Sequence, residues 1–163
     1  MPRFLHRLAW AFAVLGGLCA SAVALMTVVS IALRSLTSRP IQGDVELTQL
    51  GIALCISLCL PWCQMHGSNI LVDFFTQHAR ARTVRRLDAF GGLLMALMVG
   101  LLAWRTGAGA LAVGGAGEMS MILGLPMWWI YAALAPGLAL AGIVALVQAG
   151  LRLAGRDPMA GLA

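Results

Sequence analysis

The sequence predicts an all-α integral membrane protein with four transmembrane helices, both termini in the cytoplasm, and a short interfacial amphipathic helix between helices 2 and 3. Hydrophobic residues make up 61% of the chain and charged residues only 10%. So little polar surface cannot cover a water-soluble core. The composition therefore excludes an ordinary soluble domain, and the positions of the apolar runs and the arginines predict the rest of the fold.

Four apolar stretches are long enough to cross a bilayer, which takes about 20 residues per helix. They cover residues 8–33, 47–65, 87–113 and 127–151, and we expect residues 1–163 to form a single membrane domain. The first stretch follows Arg3 and Arg7, as a secretory signal would. It is about twice as long as a typical signal core, so we expect it to remain uncleaved as the first helix.

The arginines predict the orientation of these spans. Their positions flank apolar stretches and do not form a stripe on a soluble face, so lipid phosphates are the expected contacts and nucleic acid is not. Eight of them fall at the termini and in the middle loop, against two in the first loop: Arg3, Arg7, Arg80, Arg82, Arg85, Arg86, Arg152 and Arg156, against Arg34 and Arg39. Because cytoplasmic loops carry the excess of positive charge, both termini and the middle loop are predicted to be cytoplasmic.

This orientation can be tested with reporter fusions. Fusions after Arg86 and at Ala163 are expected to report a cytoplasmic location, and fusions near Gln42 and Gly117 a periplasmic one, because the arginine excess lies on one side. Paired alkaline phosphatase and fluorescent-protein reporters measure both outcomes. A periplasmic signal from the Arg86 fusion would overturn the four-span topology.

Residues 70–83 are predicted to form a separate short helix in the headgroup plane. Asp73 and Arg80 fall elsewhere than one side on which the following residues recur at helical spacing: Ile70, Leu71, Phe74, Phe75 and His78. Such a helix places its aromatic rings toward the acyl chains and its arginines toward water. The alternative is a plain solvated loop, which the paired phenylalanines make the poorer explanation.

The second span opens with two acidic residues. Asp44 is a predicted cap for this helix, and Glu46 in its first turn suits the positive end of the helix dipole. A second interpretation makes the same pair an acidic contact for a partner subunit.

Small residues recur at four-residue spacing in every span, which predicts close helix packing. The positions are Gly16, Ala20 and Ala24; Gly51, Cys55, Cys59 and Cys63; Gly92, Ala96 and Gly100; and Gly137, Ala141, Ala145 and Ala149. The cysteine row is then a packing stripe of small apolar side chains. Metal binding by the same row with His66 is disfavoured, because structural zinc sites use tight loops and thiolates are costly in lipid. We expect no metal and no cofactor.

Ionisable groups inside spans are the usual mark of ion or proton paths. Arg105 is the single charge in the interior of a predicted span, because Asp88 is only the second residue of its stretch, and no acidic residue lies deep in any of them. The sequence therefore predicts neither a transport site nor a catalytic residue in this chain. Arg105 is placed one or two turns from the outer end of the third span, where it either snorkels outward or pairs with Glu118 or with a carboxylate of another subunit.

Three local patterns, in order, carry a family resemblance. The first is Gly43-Asp44-Val45-Glu46-Leu47, and the second runs from His66 to Asp73 and continues through the arginines to Leu87-Asp88. The third has Glu118-Met119-Ser120, then Leu125-Pro126-Met127-Trp128-Trp129-Ile130-Tyr131. Together they resemble the DctQ-like small membrane subunit of tripartite ATP-independent periplasmic (TRAP) transporters. Asn69 departs from the pattern, because the family usually has histidine there.

The resemblance implies a scaffold subunit, and not an enzyme, in the bacterial inner membrane. Its implied partners are a large TRAP permease subunit and a periplasmic substrate-binding protein, with membrane lipid around them, and its implied role is in sodium-driven uptake of an organic acid. The alternative is a four-helix accessory subunit of another inner-membrane complex with no transport role. The candidate subunit-interface or family-motif residues are Glu46, His66, Asn69, Asp73, Phe74, Phe75, Asp88, Arg105, Glu118, Ser120, Pro126, Trp128, Trp129 and Tyr131.

Overall fold

The computed structural model describes residues 3–38, 41–66 and 81–154, and in these ranges the chain forms four long helices. They are α1 (Arg3–Thr37), α2 (Asp44–Met65), α3 (Ala81–Ala116) and α4 (Trp128–Leu153). Each is long and apolar enough to cross a membrane, which confirms the four predicted spans. The orientation of the termini and the extent of the domain stay predictions.

Several helix ends differ from the predicted boundaries. α1 continues past Leu33 to Thr37, and α3 begins at Ala81, so Arg82, Arg85 and Arg86 belong to its first turns and not to a loop. The last three positions of the predicted interfacial helix, 81–83, are part of α3, and its residues 70–80 lie outside the described residues. The reason is local: no glycine or proline interrupts the chain between Ala81 and the apolar span, so the helix continues.

The start of α2 corrects the predicted cap. Gly43, with φ of 75°, occupies the N-cap position, and Asp44 is the first helical residue. Glycine adopts this left-handed conformation without a Cβ clash, so it can turn the chain where aspartate would be strained. Asp44 and Glu46 both lie in the first turn, where their negative charges favour the positive end of the helix dipole.

The helices contact one another in the spatial order α1–α2–α4–α3. The most extensive contact joins α3 to α4, followed by α1 with α2 and then α2 with α4. Within the described ranges, α1 and α3 are therefore the two ends of an open arrangement. α4 is the most enclosed helix: 33% of the residues in its most apolar stretch are buried, against 6% in α1 and 11% each in α2 and α3.

The small-residue stripes are partly confirmed. Gly137, Ala141, Ala145 and Ala149 of α4 are all buried, and Gly92 and Ala96 of α3 are buried against it. In α1, Gly16 is buried, but Ala20 and Ala24 are exposed, so the predicted stripe is wrong beyond Gly16. The buried side of α1 continues instead through Cys19, Val23, Thr27 and Ser30. The steps from Gly16 through these residues to Ser30 are three or four residues and average about 3.5, close to the 3.6 residues of a helical turn, so they stay on one face.

Candidate functional site

The loop between α3 and α4 is folded into a tight hairpin. The Ser120 N–H donates to the Leu125 carbonyl at 2.8 Å, and the Met127 N–H donates to the Glu118 carbonyl at 3.1 Å. A single antiparallel bridge pairs Met119 with Pro126. Gly124, with φ of 63°, makes the turn. The third sequence pattern, which contains Glu118, Ser120 and Pro126, is thus the scaffold of this hairpin.

The hairpin is joined to the beginning of α2 at Leu123. The Leu123 N–H donates to both Oε2 of Glu46 and Oγ of Ser120. The nitrogen-to-oxygen distances are 3.2 and 3.3 Å. The Leu123 side chain packs over Gly43, where an added Cβ would lie 2.7 Å from its Cγ. Glu46 and Ser120 come from the first and third sequence patterns, so residues far apart in sequence meet here. We refer to Gly43, Glu46, Ser120 and Leu123 as the outer clamp.

The outer clamp gives Glu46 a contact that neither sequence interpretation included. Its carboxylate lies in the first turn of α2 and also accepts a hydrogen bond from another segment of the same chain. Hydrogen bonds to a charged group are stronger than neutral ones, at about 1.5–3 kcal/mol. Glu46 therefore holds the α3–α4 hairpin onto α2, and a partner contact through the same residue stays a prediction.

Removing this carboxylate is expected to loosen the hairpin. For Glu46→Ala we expect amide exchange over residues 117–127 to accelerate about tenfold, since tenfold corresponds to about 1.4 kcal/mol. Hydrogen-exchange mass spectrometry of the detergent-purified protein measures this. Glu118→Ala is the matched control, because the Glu118 side chain is exposed and hydrogen-bonds to no described residue. Equal acceleration in both variants would contradict the clamp.

Beside the outer clamp, polar side chains connect α1 to α2. The Ser30 hydroxyl, which is buried, donates to Oδ2 of Asp44 at 2.7 Å. Thr27 and Thr48 have their hydroxyl oxygens 3.5 Å apart one turn further in. The Asp44 carboxylate thus accepts a hydrogen bond from α1. It also accepts one from the Val45 N–H in its own first turn, at 2.7 Å.

At the other end of the helices, a glutamine pair joins α2 to α4, and sequence reasoning missed it. The Gln148 amide nitrogen donates to the carbonyls of Gln64 at 2.8 Å and Met65 at 3.2 Å. Its oxygen accepts from Nε2 of Gln64 at 3.1 Å. The last carbonyls of a helix have no partner within it, so Gln148 satisfies two of them at the end of α2. An uncharged polar residue inside an apolar span was the available signal.

A second missed contact lies nearer the middle of α2 and α4. The Ser57 hydroxyl donates to the Leu134 carbonyl at 2.7 Å. Pro61 has no N–H, so the Ser57 carbonyl one turn before it lacks its helical donor. Gly137 packs directly against the backbone of Ser57, and no Cβ could fit at that position. The two prolines, Pro61 and Pro136, both lie inside helices near this close approach.

The cysteine row is placed mainly between α1 and α2. A Cβ on Gly16 would lie 2.6 Å from Sγ of Cys59, and Sγ of Cys19 lies 3.6 Å from the Gly51 carbonyl oxygen. Cys63 is exposed and does not share this seam. Among the residues that the structure describes, no three His, Cys, Asp or Glu side chains are grouped as metal ligands would be. The positions of Cys19 and Cys59 agree with the packing of small side chains between two helices.

Packing predicts the outcome of substitution in this row. Changing Cys55, Cys59 and Cys63 together to alanine is expected to leave assembly nearly intact, because the residues remain small. Cys59→Trp is expected to prevent α1 from approaching α2, since Gly16 leaves no room. Size-exclusion profiles of detergent-solubilised protein measure both. Ile56→Trp on the exposed side of α2 is the control, and a monodisperse Cys59→Trp protein would refute this assignment.

The remaining candidate residues fall into four groups. Trp128 and Trp129 begin α4 with their rings 5.1 Å apart, and Tyr131 lies against Gly109 of α3. His66 ends α2, with its ring 4.3 Å from that of Trp62, which in turn lies 5.2 Å from His6. Asp88 belongs to α3. Asn69, Asp73, Phe74 and Phe75 lie outside the described residues.

Arg105 is deeper than its predicted position. The helix continues to Ala116, so the residue lies about 16 Å, or about three turns, from the end of α3 and not one or two turns from it. Glu118 lies two residues beyond that end, and Arg105 forms no hydrogen bond or ion pair with any described residue. An ion pair with Glu118, one of the sequence alternatives, is therefore not formed in this structure.

Comparison with known proteins identifies the family. The model of the DctQ component of tripartite ATP-independent periplasmic transporters matches residues 23–155, which span all of α2, α3 and α4 and the C-terminal part of α1. No curated protein matches the chain. No solved structure matches it either. The family is one of transporter components and not of enzymes, in agreement with four apolar helices that can each cross a membrane. With four helices that can each cross a membrane, this multi-pass membrane protein belongs to the DctQ component family of TRAP transporters.

Proposed function

We propose that this chain is the small scaffold subunit of a TRAP-type secondary transporter in a bacterial inner membrane. It pairs with a large permease subunit for sodium-driven uptake of an organic acid, which a periplasmic binding protein delivers. The observation that carries the proposal is the family match over residues 23–155 on a chain with four spanning helices.

The distribution of acidic residues supports a scaffold role. The six carboxylates in the sequence are Asp44, Glu46, Asp73, Asp88, Glu118 and Asp157. Asp44 and Glu46 lie in the first turn of α2, and Glu118 lies in the hairpin beyond α3. Sodium and proton sites in transporters use carboxylates or unwound backbone at the membrane midplane. In the described part of the chain no carboxylate lies at that depth, since Asp88 also precedes the spanning part of α3, which begins at Phe90. We therefore assign ion and substrate binding to the large subunit.

The open helix arrangement also supports a partner in the membrane. α1 and α3 end the row, and large apolar side chains along both are exposed, including Leu25 and Val28 of α1 and Leu97 and Leu101 of α3. Such apolar surfaces can be covered by lipid or by the helices of another membrane protein. A scaffold that offers a broad helical face to a larger subunit agrees with this arrangement.

The proposal is tested by reconstitution. The binding protein is first screened for ligands among carboxylic acids by thermal shift, and the radiolabelled hit is then used in vesicles with an imposed sodium gradient. Vesicles with both membrane subunits and the binding protein are expected to accumulate the acid, whereas vesicles with this chain alone accumulate none. The affinity of the binding protein for its ligand should not depend on this subunit. Uptake by the chain alone, or full uptake by the large subunit without it, would refute the scaffold role.

A further inference from the structure

Arg105 is a cation near the middle of a membrane-spanning helix. The spanning part of α3 is Phe90–Ala116, and Arg105 lies about 22 Å from its beginning and about 16 Å from its end. Contacts with α4 give the same depth. Gly114 lies beside Trp128, the first residue of α4, and Arg105 is about 14 Å further along α3 from that aromatic level. The guanidinium thus belongs to the hydrocarbon depth of the membrane.

The residue also faces away from the rest of the chain. α3 contacts α4 through Gly92, Ala96 and Val99, all buried. Arg105 shares the opposite side with Leu94 and Leu101, which are exposed as it is. Because α3 is an end of the described row, no helix in the described part of the chain covers this side. Charged residues in spans normally face a protein interior or a water-filled cavity, so this placement requires an explanation.

Snorkelling to a headgroup does not explain it. The aromatic level near Trp128 is farther than an extended arginine side chain can reach. In addition, the Cα–Cβ bonds of a helix tilt toward its N-terminus, and for Arg105 that direction leads away from the nearer end of the span. The other end of the span, at Phe90, is farther from Arg105 than the end at Ala116. Lipid on this side would leave an uncompensated charge.

We propose that the outward side of α3 around Arg105 is the docking surface for a transmembrane helix of the large subunit, which presents a carboxylate at the depth of Arg105. This inference rests on the proposed function and specifies its subunit contact. A guanidinium and a carboxylate form two parallel hydrogen bonds in a fixed geometry, so the pair sets both the depth and the rotation of the docked helix. Beyond Arg105 the same side carries Ala108, Ala112 and Ala116, all exposed, and small residues there let a second backbone come close.

The first test separates a partner contact from lipid exposure. Arg105→Leu makes α3 more apolar, so a lipid-facing position would retain or gain stability. With a carboxylate of the partner left unpaired, co-purification of the large subunit with the tagged chain is expected to fall at least about tenfold. Arg7→Leu, at the exposed beginning of α1, is the control and should retain the complex. Wild-type recovery with Arg105→Leu would overturn the proposal.

The second test locates the contact directly. A photo-crosslinking amino acid at Leu101 or Ala108 is expected to join the chain to the large subunit in membranes, whereas the same group at Val14 or Leu25 on exposed α1 is not. Crosslinks from α1 alone would overturn this docking surface and leave the proposed function standing. If the wild-type chain and the large subunit do not co-purify at all, the proposed function fails and this inference with it.

Discussion

Gly137→Leu is expected to separate α2 from α4 and to have the largest effect of any single substitution in the described core. A Cβ at this position would overlap the backbone of Ser57, and backbone cannot move aside as a flexible side chain does. Overpacking a close contact costs about 1–3 kcal/mol or more. For a chain of this size, we therefore expect the apparent melting temperature to fall by about 5–10 °C. Fluorescence-detected size exclusion after heating measures the shift.

A second glycine of the same helix provides the control. Gly150→Leu adds the same atoms to α4, but nothing lies within 4 Å of the site. Its melting temperature is expected to stay near that of the wild type. A comparable loss in both variants would mean that leucine disturbs α4 itself, and the close approach of α4 to Ser57 would then not be the cause.

Gln148→Leu is expected to have the second-largest effect. The substitution removes the donor for the Gln64 and Met65 carbonyls and leaves the Gln64 side-chain amide without its acceptor. Individual hydrogen bonds between membrane helices contribute about 0.6 kcal/mol on average and up to about 1.7 kcal/mol. Loss of these contacts together should reduce the free energy of unfolding by about 2 kcal/mol, which is large beside ordinary surface substitutions. Denaturant titration in mixed micelles measures it.

The control and the double variant isolate the interaction. Gln49→Leu replaces an exposed glutamine of α2 and should be neutral or stabilising. If Gln64 and Gln148 act as a pair, the double variant Gln64→Leu, Gln148→Leu will lose less free energy of unfolding than the sum of the single variants. Additive losses would show that the two side chains contribute independently.

The sequence was sufficient for the parts of the fold that depend on length and composition. Four apolar stretches predict four spans because each must reach across the same thickness. The stripe of α4 was also predicted, since Gly137, Ala141, Ala145 and Ala149 are all buried. The order of the helices could not be predicted, because small residues indicate that a helix packs closely but not on which neighbour.

The contacts that escaped prediction have a common physical cause. Gln148 with Gln64, Ser57 with Leu134, and Glu46 with Leu123 each join groups widely separated along the chain. Periodicity and local propensity report which residues share a face, not which faces meet. Predicting the outer clamp would require the φ of Gly43 and the hairpin turn at Gly124, and both are features of backbone geometry that sequence patterns do not report. Arg105 lies farther from the end of its helix than the sequence predicts, because the helix continues to Ala116, beyond the apolar stretch that ends at Val113.

The order α1–α2–α4–α3 has a consequence for biosynthesis. Helices α1 and α2 are consecutive and pack together, as do α3 and α4. Each pair can therefore form as soon as its second helix leaves the translocon, before the other pair exists. Within the described chain, the two pairs are then joined mainly by α2 and α4. Before that step, the Gln148 amide cannot donate to the last carbonyls of α2. Because lipid offers no replacement for these hydrogen bonds, their formation favours association of the two preformed helical hairpins.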